Sequence, residues 1–260
     1  MANVPPPYPT PTGLVRGKTM LITAAAGSGI GGALARRAAE EGAILFLSDT
    51  HERRLNETAD AIAATGAARP HVLTCDVTNE EQVRTLIATA IEKLGHIDVL
   101  VNNAGLGGNA PIIEMTDDQW FKVIDVTLNS VFRMTRAILP HLYERKAGVI
   151  VNNASVLGWR AQTLQSHYAA AKAGVMAFTR CSAMEAAEHG VRINAVSPSF
   201  AMHAALSKVT PPGLLEELAG REALGRYAET WEVANVMLFL ASDLSSYMTG
   251  EVVAVSSQHP

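Results

Sequence analysis

Tyr168 and Lys172 lie four residues apart in the alanine-rich run that follows Ser155, within the stretch Asn152 to Gly174. On a helix, residues four apart share one face, so a phenol and an ammonium can converge on the same small volume. An ammonium beside a phenol favours the phenolate and draws the tyrosine pKa toward neutrality. A tyrosine tuned in this way passes protons near pH 7, and a serine hydroxyl beside it can hydrogen-bond a substrate oxygen. The spacing alone is better explained by an ordinary alanine-rich helix with a solvated lysine. Whether these residues are chemical therefore depends on what the rest of the chain places around them.

The elements that would position them alternate regularly. Short apolar runs rich in Val, Ile and Leu predict strands at Thr19–Thr23, Ile44–Ser48, His71–Cys75, Val99–Asn102, Gly148–Asn153, Arg192–Val196 and Glu251–Val255. They barely alternate in polarity, as strands buried on both faces should not. Helices are predicted between them, at Gly31–Glu41 and Glu52–Ala64, then from a capping box with Thr78 as N-cap and Glu81 reaching back, then from a second box at Thr116 to Gln119. Such βαβα order implies an α/β fold with a doubly wound parallel sheet and helices on both faces. One domain is expected from residue 18 to 260, behind a proline-rich arm over residues 1–17. Residues 201–226, with Pro211-Pro212-Gly213, break the pattern and read either as a lid over a site or as a plain helical insertion.

The first strand runs into Thr23-Ala24-Ala25-Ala26-Gly27-Ser28-Gly29-Ile30-Gly31-Gly32. A glycine-rich turn between strand and helix lets the backbone approach a pyrophosphate, which the helix N-terminus favours electrostatically. Ala25, Gly27, Ser28, Gly29 and Ile30 are the expected contacts. Asp49 ends the second strand twenty residues after Gly29, where a carboxylate would accept ribose hydroxyls and repel a 2′-phosphate, favouring NAD over NADP. Two more loops leave the same sheet edge. Asp76 and Val77 suit an adenine, and Asn103-Ala104-Gly105 presents small residues to a flat ring. Each has an innocent reading as a turn or cap, but four at one edge make coincidence hard to sustain.

Composition narrows the classes. A chain of 260 residues with 48% hydrophobic and 18% charged residues can bury a large core and is not disordered. A net charge of −4 without a basic run argues against nucleic acid or an anionic membrane as partner. Two cysteines, Cys75 and Cys181, fit a reducing compartment, and a cytoplasmic location is expected in the absence of a signal-like N-terminus. The histidines show no metal-ligand spacing, so no metal is expected.

In combination, the glycine-rich turn, Asn102-Asn103-Ala104-Gly105, Ser155, Tyr168 and Lys172 resemble the short-chain dehydrogenase/reductase family over Lys18 to Val255. The resemblance implies a Rossmann-type seven-stranded sheet, commonly in homotetramers. It makes Tyr168 the general acid/base, Ser155 the holder of the substrate oxygen, and Lys172 the residue that binds nicotinamide ribose and lowers the tyrosine pKa. Pro198 and Ser199 match the family's Pro-Gly beside the nicotinamide, and His203 replaces the threonine that follows. Thr127 stands where the family has the asparagine of a catalytic tetrad, and its hydroxyl could hold a water; Asn129 points elsewhere at helical pitch.

Finer features, among them His51-Glu52-Arg53-Arg54-Leu55 and Ala154 to Arg160, are similar to an actinobacterial branch of that family acting in sterol ring breakdown. That branch interconverts a ring 5-hydroxyl and ketone of a methylhexahydroindanone propionate carried as its coenzyme A thioester. The likeness implies a bulky alicyclic small-molecule substrate walled by Leu157, Trp159, Arg160 and Met202. Two rivals stay open: a 3-oxoacyl thioester reductase of the same family, and a dinucleotide-binding protein without catalysis.

Overall fold

The computed structural model describes residues 4–202 and 213–257. Its strands are β1 (Thr19–Thr23), β2 (Ile44–Asp49), β3 (His71–Thr74), β4 (Val99–Asn102), β5 (Gly148–Asn153), β6 (Val191–Pro198) and β9 (Val252–Val255), all parallel in the order β3-β2-β1-β4-β5-β6-β9. Among the described residues this is the seven-stranded sheet expected from sequence. Between the strands run α1 (Ile30–Glu40), α2 (Glu52–Ala63), α3 (Glu80–Leu94), α4 (Asp117–Ile124), α5 (Ser130–Arg145) and α6 (Ser166–Ala187). The excursion after β6 contributes β7 (Ala201–Met202), α7 (Leu214–Arg221) and β8 (Ala228–Glu229), and α8 (Thr230–Ala241) leads back toward β9. The two short strands β7 and β8 pair with each other in a separate parallel ribbon that the sequence pattern does not reveal.

The core forms on both sides of the sheet. Leu34, Ala35 and Ala38 of α1 and Val233, Met237 and Leu240 of α8 pack against Met20, Ile22, Val99 and Val101. Leu21, Leu100 and Ile150 point the other way, onto Val83, Leu86 and Ile87 of α3 and Met134 and Ile138 of α5. This two-sided burial is why the strands read as nearly continuous apolar runs.

One local expectation is corrected and another holds. The cap of α3 is Asn79, whose side chain accepts from Gln82 N–H at 3.0 Å, and not Thr78. Thr78 instead turns its N–H and hydroxyl onto the Asp76 carboxylate, which draws it into the preceding turn. The box at Thr116 and Gln119 forms as expected.

The proline-rich arm lies on its own domain. Tyr8 packs edge-on against Trp231 of α8, with ring centroids 5.5 Å apart, and donates to Glu40. Glu41, 2% exposed, then gathers the N–H groups of Thr12, Gly13 and Leu14 at 2.9, 2.7 and 2.8 Å while pairing with Arg37 at 2.7 Å. Burial works to raise the Glu41 pKa, but those amides and the guanidinium outweigh it and hold the carboxyl below its ordinary 4.5. A depressed carboxyl stabilises the fold above its unfolded pKa and loses that contribution as pH falls through the folded value. Glu41→Gln is expected to lower stability at pH 7 by about 1–3 kcal/mol, since a buried charge-assisted cluster is broken. Urea titrations should show the gap between variant and wild type closing as the pH falls below the carboxyl's ordinary value.

Candidate active site

Alternation along β5 decides which of its terminal polar residues serve the site. Asn152 turns into the protein, where it accepts from Asn102 at 2.9 Å and donates to Thr179 on α6 at 2.9 Å. Asn153 points to the opposite face, and its side-chain N–H donates to Asn103 Oδ1 at 2.9 Å. Ser155 follows in extended conformation and caps a single 3-10 turn, Val156–Gly158, by accepting the Leu157 N–H at 3.2 Å. Its hydroxyl also hydrogen-bonds the Tyr168 phenol, which brings both groups to one place.

The helix α6 then brings up Tyr168 and Lys172. Lys172 is 2% exposed and donates to the main-chain carbonyl of Asn153, with its Nζ 5.6 Å from the Tyr168 ring centroid. Ser155, Tyr168 and Lys172 all line one cleft of about 850 Å³, together with Gly105, Leu157, Arg160, Pro198 and Ser199. The bland reading of the tyrosine–lysine pair fails on this burial, because a solvated lysine would not give up water.

Burial pushes the Tyr168 phenol above its ordinary value, partly offset by its hydrogen bond with Ser155. The same burial lowers Lys172 to about 7. In the free protein desolvation dominates both groups, so the Tyr168 phenol stands above its ordinary value despite the lysine beside it.

The glycine-rich turn fits a dinucleotide. No side chain caps the N-terminus of α1, and nothing lies within 4 Å of where a side chain would begin at Gly27 or Gly29. A Cβ on Gly31 would stand 2.2 Å from the Ala24 carbonyl and 2.5 Å from Asn103 Nδ2, so backbone must pass here without a side chain. Ala24 takes the left-handed conformation at φ 50, while Ala25 is fully buried with its N–H on Ser48. The tight turn thus carries a side chain, on Ala24. Gly29 and Ile30 line the cleft, with Ala24 and Gly31 beside them; Gly27 and Ser28 do not.

Asp49 accepts the Ala26 N–H at 3.1 Å and the His51 N–H at 3.0 Å, so it braces the turn as well as closing β2. Asp76 ends β3's loop with one oxygen engaged by Thr78, and Val77 is buried. Asp49, Asp76, Val77 and Ala104 stand at the carboxyl edge of the sheet but outside the lining of the cleft. Asn103 donates through Nδ2 to the carbonyls of Thr23 and Ala24 at 3.2 and 3.1 Å, and its Oδ1 takes Asn153.

Three further expected site residues lie outside the lining of the cleft. Thr127 lies fully buried in a π-helical segment, Asp125–Asn129, and its hydroxyl both donates to Leu106 O and accepts from Leu106 N–H at 3.0 Å. These two bonds tie the Gly105 loop to the π-helical segment and direct the hydroxyl proton at Leu106 O. Trp159 is 47% exposed and leaves the cleft, because residues two apart on a 3-10 turn point in different directions. Met202 also lies outside the lining, which uses its neighbours Phe200 and Ala201. His203 falls outside the described residues. Among the described residues no cluster of metal-ligating side chains occurs, and no helix is long and apolar enough to cross a membrane.

Sequence reasoning missed Asn153 and Glu222. A polar residue at the end of a buried strand was a signal for Asn153. Nothing in the sequence marks Glu222, which is 4% exposed at the cleft wall and accepts the Ser257 hydroxyl at 2.8 Å.

A family profile described as enoyl-(acyl carrier protein) reductase matches residues 24–257. The chain is 61% identical over 95% of its length to the Mycobacterium tuberculosis (5R,7aS)-5-hydroxy-7a-methyl-1-oxo-2,3,5,6,7,7a-hexahydro-1H-indene-carboxyl-CoA reductase, covering 95% of that protein. The chain belongs to the short-chain dehydrogenase/reductase family. It is an oxidoreductase of that family, as the sequence motifs imply. A crystal structure of a short-chain dehydrogenase from Mycobacterium smegmatis superposes with a TM-score of 0.88 at 57% identity, over 98% of both chains. The 3-oxoacyl-[acyl-carrier-protein] reductase FabG of Thermotoga maritima is 39% identical over 93% of the chain and 97% of its own length.

Lys172 gives a test of this site that does not depend on substrate. The unfolded chain keeps the amine protonated to about 10.5, whereas the folded chain releases the proton near 7. Between those values the unfolded state binds the extra proton, so this group makes stability rise with pH, and below 7 it opposes folding in full. Lys172→Met is expected to raise the melting temperature at pH 7 while abolishing turnover. A loss of both would show that the ammonium is a stabilising group instead.

Proposed function

We propose that the protein interconverts a ring hydroxyl and a ring ketone on a bicyclic, sterol-derived substrate carried as a coenzyme A thioester, using NAD(H). The observation that carries the chemistry is the convergence of Ser155, Tyr168 and Lys172 on one cleft beside a glycine-rich turn. A bound nicotinamide dinucleotide would supply or accept the hydride. Tyr168 gives its proton to the carbonyl oxygen in reduction and takes it back in oxidation. Its raised pKa supports the first role, since the phenol of the free protein holds its proton at neutral pH. Ser155 donates to the same oxygen, and a well-placed donor at a developing oxyanion is worth about 2.7–4 kcal/mol. Lys172 orients the cofactor ribose and supports the proton on Tyr168.

The substrate class rests on the 61% identity to the indene-carboxyl-CoA reductase and on the shape of the cleft. Its walls at Val156, Leu157, Phe200 and Ala201 are apolar, and Arg160 adds a guanidinium for an acidic or phosphorylated portion. The Asp49 carboxylate at the end of β2 favours NAD over NADP. A slim 3-oxoacyl thioester is the second reading, supported by the FabG likeness.

The protein is read as a cytoplasmic homotetramer. In support, α6 carries apolar residues on both sides, with Met184 75% exposed, and Phe121 and Phe132 stand exposed on α4 and α5. A second copy of the chain is the natural cover for such a face. Tyr168→Phe is expected to keep NADH binding while losing roughly 10²–10⁴-fold in turnover. Wild-type turnover should be higher on fused-ring ketone thioesters than on acetoacetyl-coenzyme A, and higher with NADH than with NADPH. Preference for acetoacetyl-coenzyme A would reject the ring substrate, and an active Tyr168→Phe would reject the mechanism.

A further inference from the structure

Asn153 makes two contacts that no motif assigns. Its main-chain carbonyl takes the buried Lys172 ammonium, and its side-chain N–H donates to Asn103 Oδ1. Asn103 in turn holds the carbonyls of Thr23 and Ala24, the latter being the left-handed residue of the glycine-rich turn. The orientation of both amides is fixed by this chain. Asn103 must present N–H to two carbonyls, so its oxygen faces Asn153, and Asn153 must answer with N–H.

The consequence is an unmatched atom. Asn153 is 9% exposed, and its Oδ1 is buried with no hydrogen-bond partner. A buried acceptor left unsatisfied keeps its full desolvation cost. An apolar side chain of the same size would avoid that cost at the end of an otherwise apolar strand. Stability therefore gives no reason for an amide here, whereas a connection to Asn103 does, and native exceptions of this kind call for a functional account.

We propose that Asn153 is a positioning residue that joins the dinucleotide turn at Ala24 to the catalytic ammonium of Lys172, so that cofactor seating and alignment of the proton-transfer groups depend on each other. The link runs Ala24 O to Asn103 to Asn153 to Lys172, and crosses from β1 through the β4 loop to β5 and α6. It rests on the reading of the cleft as a nicotinamide dinucleotide site. Ser155 and Tyr168 stand outside the link, so the chemistry keeps its groups while their placement changes.

The test is a double-mutant cycle with Asn153→Leu and Asn103→Ala, read by NADH affinity from fluorescence titration, by kcat, and by melting temperature. Asn153→Leu is expected to weaken NADH and to lower kcat by several-fold to about tenfold, the worth of one hydrogen bond, and Asn103→Ala by at least as much because it also releases the Thr23 and Ala24 carbonyls. The double variant should be no worse than the weaker single one, because both cut the same link. Asn153→Leu should melt within a few degrees of wild type, having lost an orphaned acceptor along with a bond. Effects that multiply in the double variant would overturn the link. So would single variants whose melting temperature falls while NADH affinity and kcat stay put, or variants that change nothing. Asn153→Ser gives the same comparison should the leucine variant not fold. Wild-type protein that fails to bind NADH would instead reject the dinucleotide reading itself.

Discussion

A lysine ammonium with almost no water around it, held by a main-chain carbonyl at the end of β5, is the constraint on which the site depends. Burying an amine without compensation is costly, and here the cost shows as a proton released near neutral pH. That ammonium can be held only if β5 ends where Asn153 presents its carbonyl, and only if α6 crosses at the height that brings Lys172 under it. The position of Tyr168 then follows, one helical turn earlier on the same face. Ser155 follows as well, two residues beyond the carbonyl on the outgoing chain.

The sheet edge around this point is a polar seam against the apolar core. Thr23 accepts the N–H groups of Asn103 and Ala104 and donates to Val101, so the ends of β1 and β4 are tied together. Asn102, Asn152 and Thr179 continue the seam through the sheet to α6. A parallel sheet leaves its last carbonyls and amides at this edge without ladder partners, and these side chains satisfy them. The same edge is where open α/β sheets bind ligands, so stability and function draw on one set of groups.

The sheet was legible because parallel strands covered on both faces write their burial as unbroken Val, Ile and Leu runs, and five of the seven begin where the pattern put them. Ser155, Tyr168 and Lys172 were legible because their spacing is fixed by helical pitch and by the length of the β5–α6 connection. What escaped the sequence were properties of three-dimensional neighbourhood. The left-handed turn could not be assigned to Ala24 in preference to Ala25, because either alanine fits the pattern and only the bond from Ala25 N–H to Ser48 decides. Thr127 looked available for a water until Leu106 occupied both sides of its hydroxyl. Trp159 looked like a wall because a 3-10 turn in place of an extended chain cannot be read from Val156-Leu157-Gly158. The raised tyrosine pKa of the free protein also escaped it, since proximity of a lysine is visible in a sequence and the desolvation of both groups is not.

The strand order also bears on how the molecule is made. β1 lies between β2 and β4, so the half of the sheet that carries the glycine-rich turn is complete once residue 102 has been synthesised. From there each new parallel strand adds to the same growing edge, β5 on β4, β6 on β5 and β9 on β6. Each addition must wait for an intervening helix and a distant segment of chain, the kind of pairing that closes slowly. During synthesis a nascent chain would thus own a nucleotide-shaped edge well before it owns a reactive tyrosine, and the unpaired side of β4 is the surface a chaperone would need to guard in that interval.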